Sequence, residues 1–66
     1  MSKKAINRLK VMLAEKNVSS KWLAEQLGKN ETTVSRWCTN DVQPPIKTFV
    51  EIAEKLNVKL TSLFND

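Results

Sequence analysis

Five polar side chains fall within one six-residue stretch: Glu31, Thr32, Thr33, Ser35 and Arg36, interrupted only by Val34. Their types suit one kind of chemistry. Hydroxyls both donate and accept hydrogen bonds, a threonine methyl can touch a thymine methyl, and a guanidinium offers a planar fork of donors that fits the edge of guanine. On a helix these side chains point outward, while Val34, Trp37 and Cys38 turn inward at helical spacing. Any amphipathic helix has such a polar face, however, so the reading depends on what holds it in place.

The element that must hold it runs from Ser19 to Asn40. Ser19 is placed to cap a helix over 20–27, with Val18 packing on Leu23 as a hydrophobic staple. Leu23, Ala24 and Leu27 share one face, and the small Ala24 lets a second helix approach closely. Gly28, the only glycine in the chain, can adopt the positive φ that a sharp turn needs. Asn30 then caps a second helix over 31–38. Two short helices, a tight glycine turn and a polar outer face form the grammar of a DNA-binding helix-turn-helix.

Other chemistries find little support. The chain has no His and a single cysteine, Cys38, which faces inward with no base near it. Glu51 and Glu54 lie three apart on a helix and read as a solvated face rather than an acid–base pair. Zinc favours Cys and His sets, so no metal site is expected, and neither a cofactor nor a small-molecule substrate is evident. One cysteine cannot form an internal disulfide. With no secretory signal and no apolar run of about 18 residues, the expectation is a non-enzymatic cytoplasmic protein with no membrane partner.

Sixty-six residues make one domain, 1–66, whose core is small enough that close helix packing or a partner copy should help it. The net charge of +4 is unevenly spread. Residues 1–37 carry eight Lys/Arg and three Glu, a balance of +5, while 38–66 carry three Lys and four acids, a balance of −1. The basic half is the half holding the polar helix face, as a nucleic-acid-facing side requires.

In order, the pattern predicts a first helix from about Lys3 to Lys16, capped by Ser2, with an apolar stripe of Ile6, Leu9, Met12 and Leu13. Lys3, Lys4, Arg8 and Lys10 lie mainly off that stripe, most of them as a solvated basic face, the alternative being that one or two approach phosphates. Asn17 ends this helix, Asn40 ends the third and Asn57 the fourth, each in the left-handed conformation that asparagine tolerates. Trp22 lies opposite the Leu23 face, placed either to cover a neighbouring helix or to line a partner surface. Pro44 and Pro45 introduce a fourth helix to Leu56, with Ile46, Phe49, Val50, Ile52, Ala53 and Leu56 on a wide apolar face. Leu60, Leu63 and Phe64 mark a short fifth helix. The expected fold is all-α, a compact five-helix bundle.

In this arrangement the chain resembles the lambda-repressor-like helix-turn-helix family, of the Cro and phage-repressor type, from about Ile6 to Phe64. The residues that carry the resemblance are Leu23-Ala24, Leu27-Gly28, Val34-Ser35-Arg36-Trp37, Pro44, Ile52-Ala53 and Leu56 through Leu63. It implies a five-helical domain that binds operator DNA and regulates transcription in bacteria and their phages. Several positions depart from the family pattern. Asn17, Asn40 and Asn57 stand where glycine is frequent. Leu13 and Cys38 stand where an Arg–Glu pair is common, so an apolar contact is expected to replace the ion pair. Lys29 holds a usually apolar position, its stem expected on the core and its ammonium in water. Ser20 and Glu31 replace glutamines.

The resemblance implies a division of labour. Thr32, Thr33 and Arg36 meet base edges in the major groove, and Ser35 meets base or backbone. Glu31 either accepts from cytosine N4 or simply favours the helix N-terminus. Ser20 and Lys21 at the start of one helix, with Lys29, Asn40, Gln43 and Lys47, are the expected phosphate contacts. A homodimer on palindromic double-stranded DNA, acting as a repressor, completes the expectation. Its interface would lie at Leu60–Phe64 or on the exposed side of the fourth helix. The rival reading is an antitoxin-type or protein-interaction module with weak or unselective DNA binding.

Overall fold

The computed structural model describes residues 6–64; the expected Ser2 cap and Lys3 and Lys4 lie outside them. Helices α1 (Leu9–Glu15), α2 (Ser20–Leu27), α3 (Glu31–Cys38) and α4 (Ile46–Leu56) are followed by a 3₁₀ turn, Leu60–Leu63. The fifth helix expected from sequence is thus a single 3₁₀ turn. Its backbone closes from Ser62 N–H to the Lys59 carbonyl at 2.9 Å and from Phe64 N–H to the Thr61 carbonyl at 3.3 Å, and such three-residue closures do not extend far. The described part of the chain remains all-helical apart from one isolated antiparallel bridge between Asn7 and Phe64.

The chain starts and stops its helices by local means. Ser19 Oγ accepts from Trp22 N–H at 3.0 Å and Asn30 Oδ1 from Thr32 N–H at 2.7 Å. Each satisfies a donor that the first turn leaves open. All four α-helices end alike. A residue at positive φ follows each one: Asn17 at 59°, Gly28 at 65°, Asn40 at 63° and Asn57 at 57°. That residue donates to the carbonyl three back, and its successor to the carbonyl five back. The bonds are Asn17→Ala14 and Val18→Leu13, Gly28→Glu25 and Lys29→Ala24, Asn40→Trp37 and Asp41→Arg36, and Asn57→Glu54 and Val58→Ala53. This is the Schellman arrangement. Three asparagines and one glycine provide it here, in agreement with the left-handed positions expected from sequence.

The core draws on every element. Leu9, Met12 and Leu13 come from α1, Leu23 and Ala24 from α2, Val34 and Trp37 from α3, and Phe49, Ile52, Ala53 and Leu56 from α4, with Leu63 from the last turn. Leu9, Leu23, Val34, Ile52 and Leu63 are fully enclosed, each such burial contributing about 1.5–3 kcal/mol before entropy is counted. Phe49 and Phe64 meet ring to ring at 4.6 Å. Trp22 is half-buried and packs against the core, so it covers its neighbours as the first of its two readings had it.

Two expectations change. The first helix begins at Leu9, and Ile6, placed on its apolar stripe by periodicity, precedes the helix and is 53% exposed. The cause lies far along the chain. Asn40 Oδ1 accepts from the N–H of both Ile6 and Asn7, and Arg8 N–H donates to the Leu63 carbonyl, so residues 6–8 are tied across the domain instead of coiling. On α4, Ile46 and Val50 lie one turn apart and face outward, so its apolar face is wider than the core it covers.

Candidate nucleic-acid interface

The outer face of α3 is decided by two inward side chains. Val34 is fully buried and Trp37 nearly so. With these fixed three residues apart, the helical repeat sends Glu31, Thr32, Thr33, Ser35 and Arg36 outward, and all five are exposed. Gly28, Lys29 and Asn30 make the turn from α2, against which α3 packs more extensively than any other pair of helices in the domain. A side chain added at Gly28 would meet no atom within 4 Å. The glycine therefore serves the backbone angle, not a close approach.

Glu31, Thr32, Ser35 and Arg36 share an open depression of about 320 Å³ with Thr39 and Asp41. Those last two fall in the loop 39–43 expected near phosphate, but neither is among the residues expected at base edges. Thr39 was detectable, being four residues after Ser35 and seven after Thr32 on the same helical face. Asp41 was not, because its position depends on the loop that follows Asn40. Thr39 Oγ1 lies 3.1 Å from the Arg36 carbonyl and 3.2 Å from Asp41 Oδ2, which links the end of α3 to this loop.

The expected phosphate contacts fall into two groups. Lys21, Lys29 and Lys47 are exposed, and Ser20 is half-buried at the first turn of α2. Asn40 and Gln43 are half-buried, with their side-chain amides turned into the protein. Asn40 Oδ1 accepts from Ile6 N–H and Asn7 N–H at 2.9 Å and from Gln43 Nε2 at 3.1 Å. Gln43 Oε1 accepts from Asn7 Nδ2 at 2.7 Å. Asn7, which the sequence reading passed over, is buried at the centre of this cluster.

Behind α3, Cys38 lines a second cleft of about 340 Å³ with Lys10, Leu13, Ala14, Val18, Ser20, Ser35 and Thr39. Leu13 and Cys38 both line this cleft. Burial pushes the Cys38 thiol above its ordinary value, and the nearby Lys10 charge partly opposes the shift. Among the described residues no three His, Cys, Asp or Glu side chains converge as metal ligands, and no helix is long and apolar enough to cross a membrane.

The helix-turn-helix family model matches residues 9–63, which contain all four α-helices and the 3₁₀ turn. A crystal structure of a protein from Bacteroides fragilis, named as a candidate DNA-binding protein, is 53% identical in sequence. The similarity covers 91% of this chain and 97% of that one, with a TM-score of 0.90. No curated protein matches the sequence.

Proposed function

The chain belongs to the lambda-repressor-like helix-turn-helix family, and we propose that it binds double-stranded DNA sequence-selectively and represses transcription as a homodimer. The observation that carries this reading is the sorting of side chains on α3: Thr32, Thr33 and Arg36 stand free of the core while Val34 and Trp37 anchor the helix from behind. The basic balance of residues 1–37 and the name of the Bacteroides fragilis protein support it.

In this mechanism α3 enters the major groove. Arg36 pairs with a purine edge, Thr32 and Thr33 meet neighbouring bases, Ser35 reaches base or backbone, and Glu31, the acidic residue of the first turn, either favours the helix N-terminus or accepts from a cytosine amino group. Lys21 and the backbone at the start of α2 hold a phosphate on one side of the helix, and Lys29 and Lys47 hold others. Phosphate contacts set the register, and base contacts select the sequence. The described domain measures 33 × 24 × 23 Å. Two copies therefore fit side by side on half-sites about 34 Å apart, one helical turn of the duplex.

Of the two surfaces expected for the dimer, the exposed side of α4 is favoured. Leu63 is buried and Phe64 packs on Phe49, whereas Ile46 is 64% and Val50 42% exposed. The same apolar pair also supports the second reading, a protein-interaction module. Ionic strength separates the two, because affinity for DNA that rests on phosphate contacts falls steeply with salt.

Selection from a pool of random duplexes tests the proposal. The expected result is enrichment of one palindromic family; a pool that emerges without a preferred sequence overturns it.

A further inference from the structure

Every polar group of Asn7 is bonded within the chain. Its N–H donates to Asn40 Oδ1 at 2.9 Å, and its carbonyl accepts from Asn40 Nδ2 at 3.3 Å. Its side-chain oxygen accepts from Leu9 N–H at 3.0 Å. Its side-chain nitrogen donates to the Trp37 carbonyl at 3.0 Å and to Gln43 Oε1 at 2.7 Å. One residue, 3% exposed, thereby joins the start of α1, the last turn of α3 and the loop before α4. No buried side-chain nitrogen or oxygen among the described residues lacks a partner.

We propose that Asn7, Asn40 and Gln43 are positioning residues for DNA recognition: they fix the C-terminal end of α3 and the loop behind it, and so set where Arg36 stands against the duplex. This rests on the DNA-binding reading above and deepens it. The geometry carries it in two steps. The Trp37 carbonyl is held by Asn7 Nδ2 and by Asn40 N–H, the latter at 3.2 Å. The adjoining Arg36 carbonyl is held by Asp41 N–H at 3.0 Å and lies within reach of Thr39 Oγ1. A shift of Asn7 therefore moves the backbone that bears Arg36. Hydrogen bonds to base edges are directional and lose strength steeply when misaligned. A small tilt of α3 thus costs selectivity while phosphate attraction, which acts at longer range, persists.

The test is binding of full-length Asn7→Ala and Gln43→Met to the duplex selected by the parent protein and to a random duplex, at a temperature where circular dichroism shows each variant fully folded. The expected result is a fall of about tenfold in the ratio of selected to random affinity for Asn7→Ala, with a smaller fall for Gln43→Met. Unchanged ratios in the folded variants overturn the positioning role and leave the DNA reading intact. A parent protein that prefers no duplex overturns both. Loss of folding in both variants assigns the cluster to stability alone and likewise overturns the proposal. If only Asn7→Ala unfolds, the ratio for Gln43→Met decides.

Discussion

Asn40 grips the backbone of Asn7 from both sides, its Oδ1 accepting from the Asn7 N–H at 2.9 Å and its Nδ2 donating to the Asn7 carbonyl at 3.3 Å. At the same time Asn40 is the left-handed residue that closes α3, with φ at 63°. A glycine could supply that backbone angle but not the grip. The position therefore joins a local requirement to a long-range one, and the two can be separated by mutation.

Three asparagines share the same backbone conformation, so replacing each with glycine isolates the side chain. Asn17→Gly and Asn57→Gly should stay within about 1 kcal/mol of the parent, since glycine adopts positive φ without strain. Asn40→Gly should lose about 2 kcal/mol or more, because it leaves the buried Asn7 amide group and its neighbours short of partners. Equal unfolding midpoints for all three in urea would show that the Asn40 side chain contributes nothing.

Gly28→Ala tests the turn itself. No atom stands within 4 Å of the added Cβ, so the whole cost is the backbone angle, about 1 kcal/mol, and Gly28→Asn should recover most of it. Thermal unfolding measures both. A much larger loss for alanine would point to a steric conflict that the geometry does not contain.

Arg36→Ala and Lys21→Ala should separate selectivity from attraction. For Arg36→Ala the selected duplex should lose about 1–3 kcal/mol while random duplex loses less. For Lys21→Ala both should weaken alike and the salt dependence should become shallower by about one ion. Equal losses on both duplexes for Arg36→Ala would remove it from base reading.

Cys38 makes alkaline stability a readout of its burial. The folded thiol titrates above its ordinary value of 9.0, so the folded state holds the proton more tightly than the unfolded one. Its contribution is fully present below about pH 9 and is lost as pH rises through the folded value. Cys38→Ser should therefore lessen the decline in urea midpoint between neutral and strongly alkaline pH. Parallel pH profiles for parent and variant would contradict this. Cys38→Glu carries a related expectation: a carboxylate on the cleft it shares with Leu13 should strongly destabilise the fold, and an unchanged melting temperature would refute the apolar replacement of the ion pair.

Ile46→Lys probes the outer side of α4. The side chain is 64% exposed, so the monomer should keep its stability within about 0.5 kcal/mol. On the proposed α4 interface, sedimentation should show the parent as a dimer and the variant as a monomer, with DNA affinity falling in step; a monomeric parent would remove the dimer from the reading. Dimers of unchanged strength would move the interface elsewhere.

Composition and periodicity alone determined the caps Ser19 and Asn30, the four left-handed residues, the inward Val34 and Trp37 and the outward polar face of α3. Each of these depends on residues at most about one helical turn apart, where spacing in sequence is spacing in space. The late start of α1, the exposure of Ile6, the burial of Asn7 and the inward turn of Asn40 and Gln43 were decided only by the tertiary structure. They rest mainly on side-chain bonds between residues 30 to 36 positions apart and on the still longer reach from Arg8 N–H to the Leu63 carbonyl. A buried asparagine whose side-chain amide nitrogen reaches only distant partners leaves no periodic trace, and it looks like any polar surface residue until the chain closes around it.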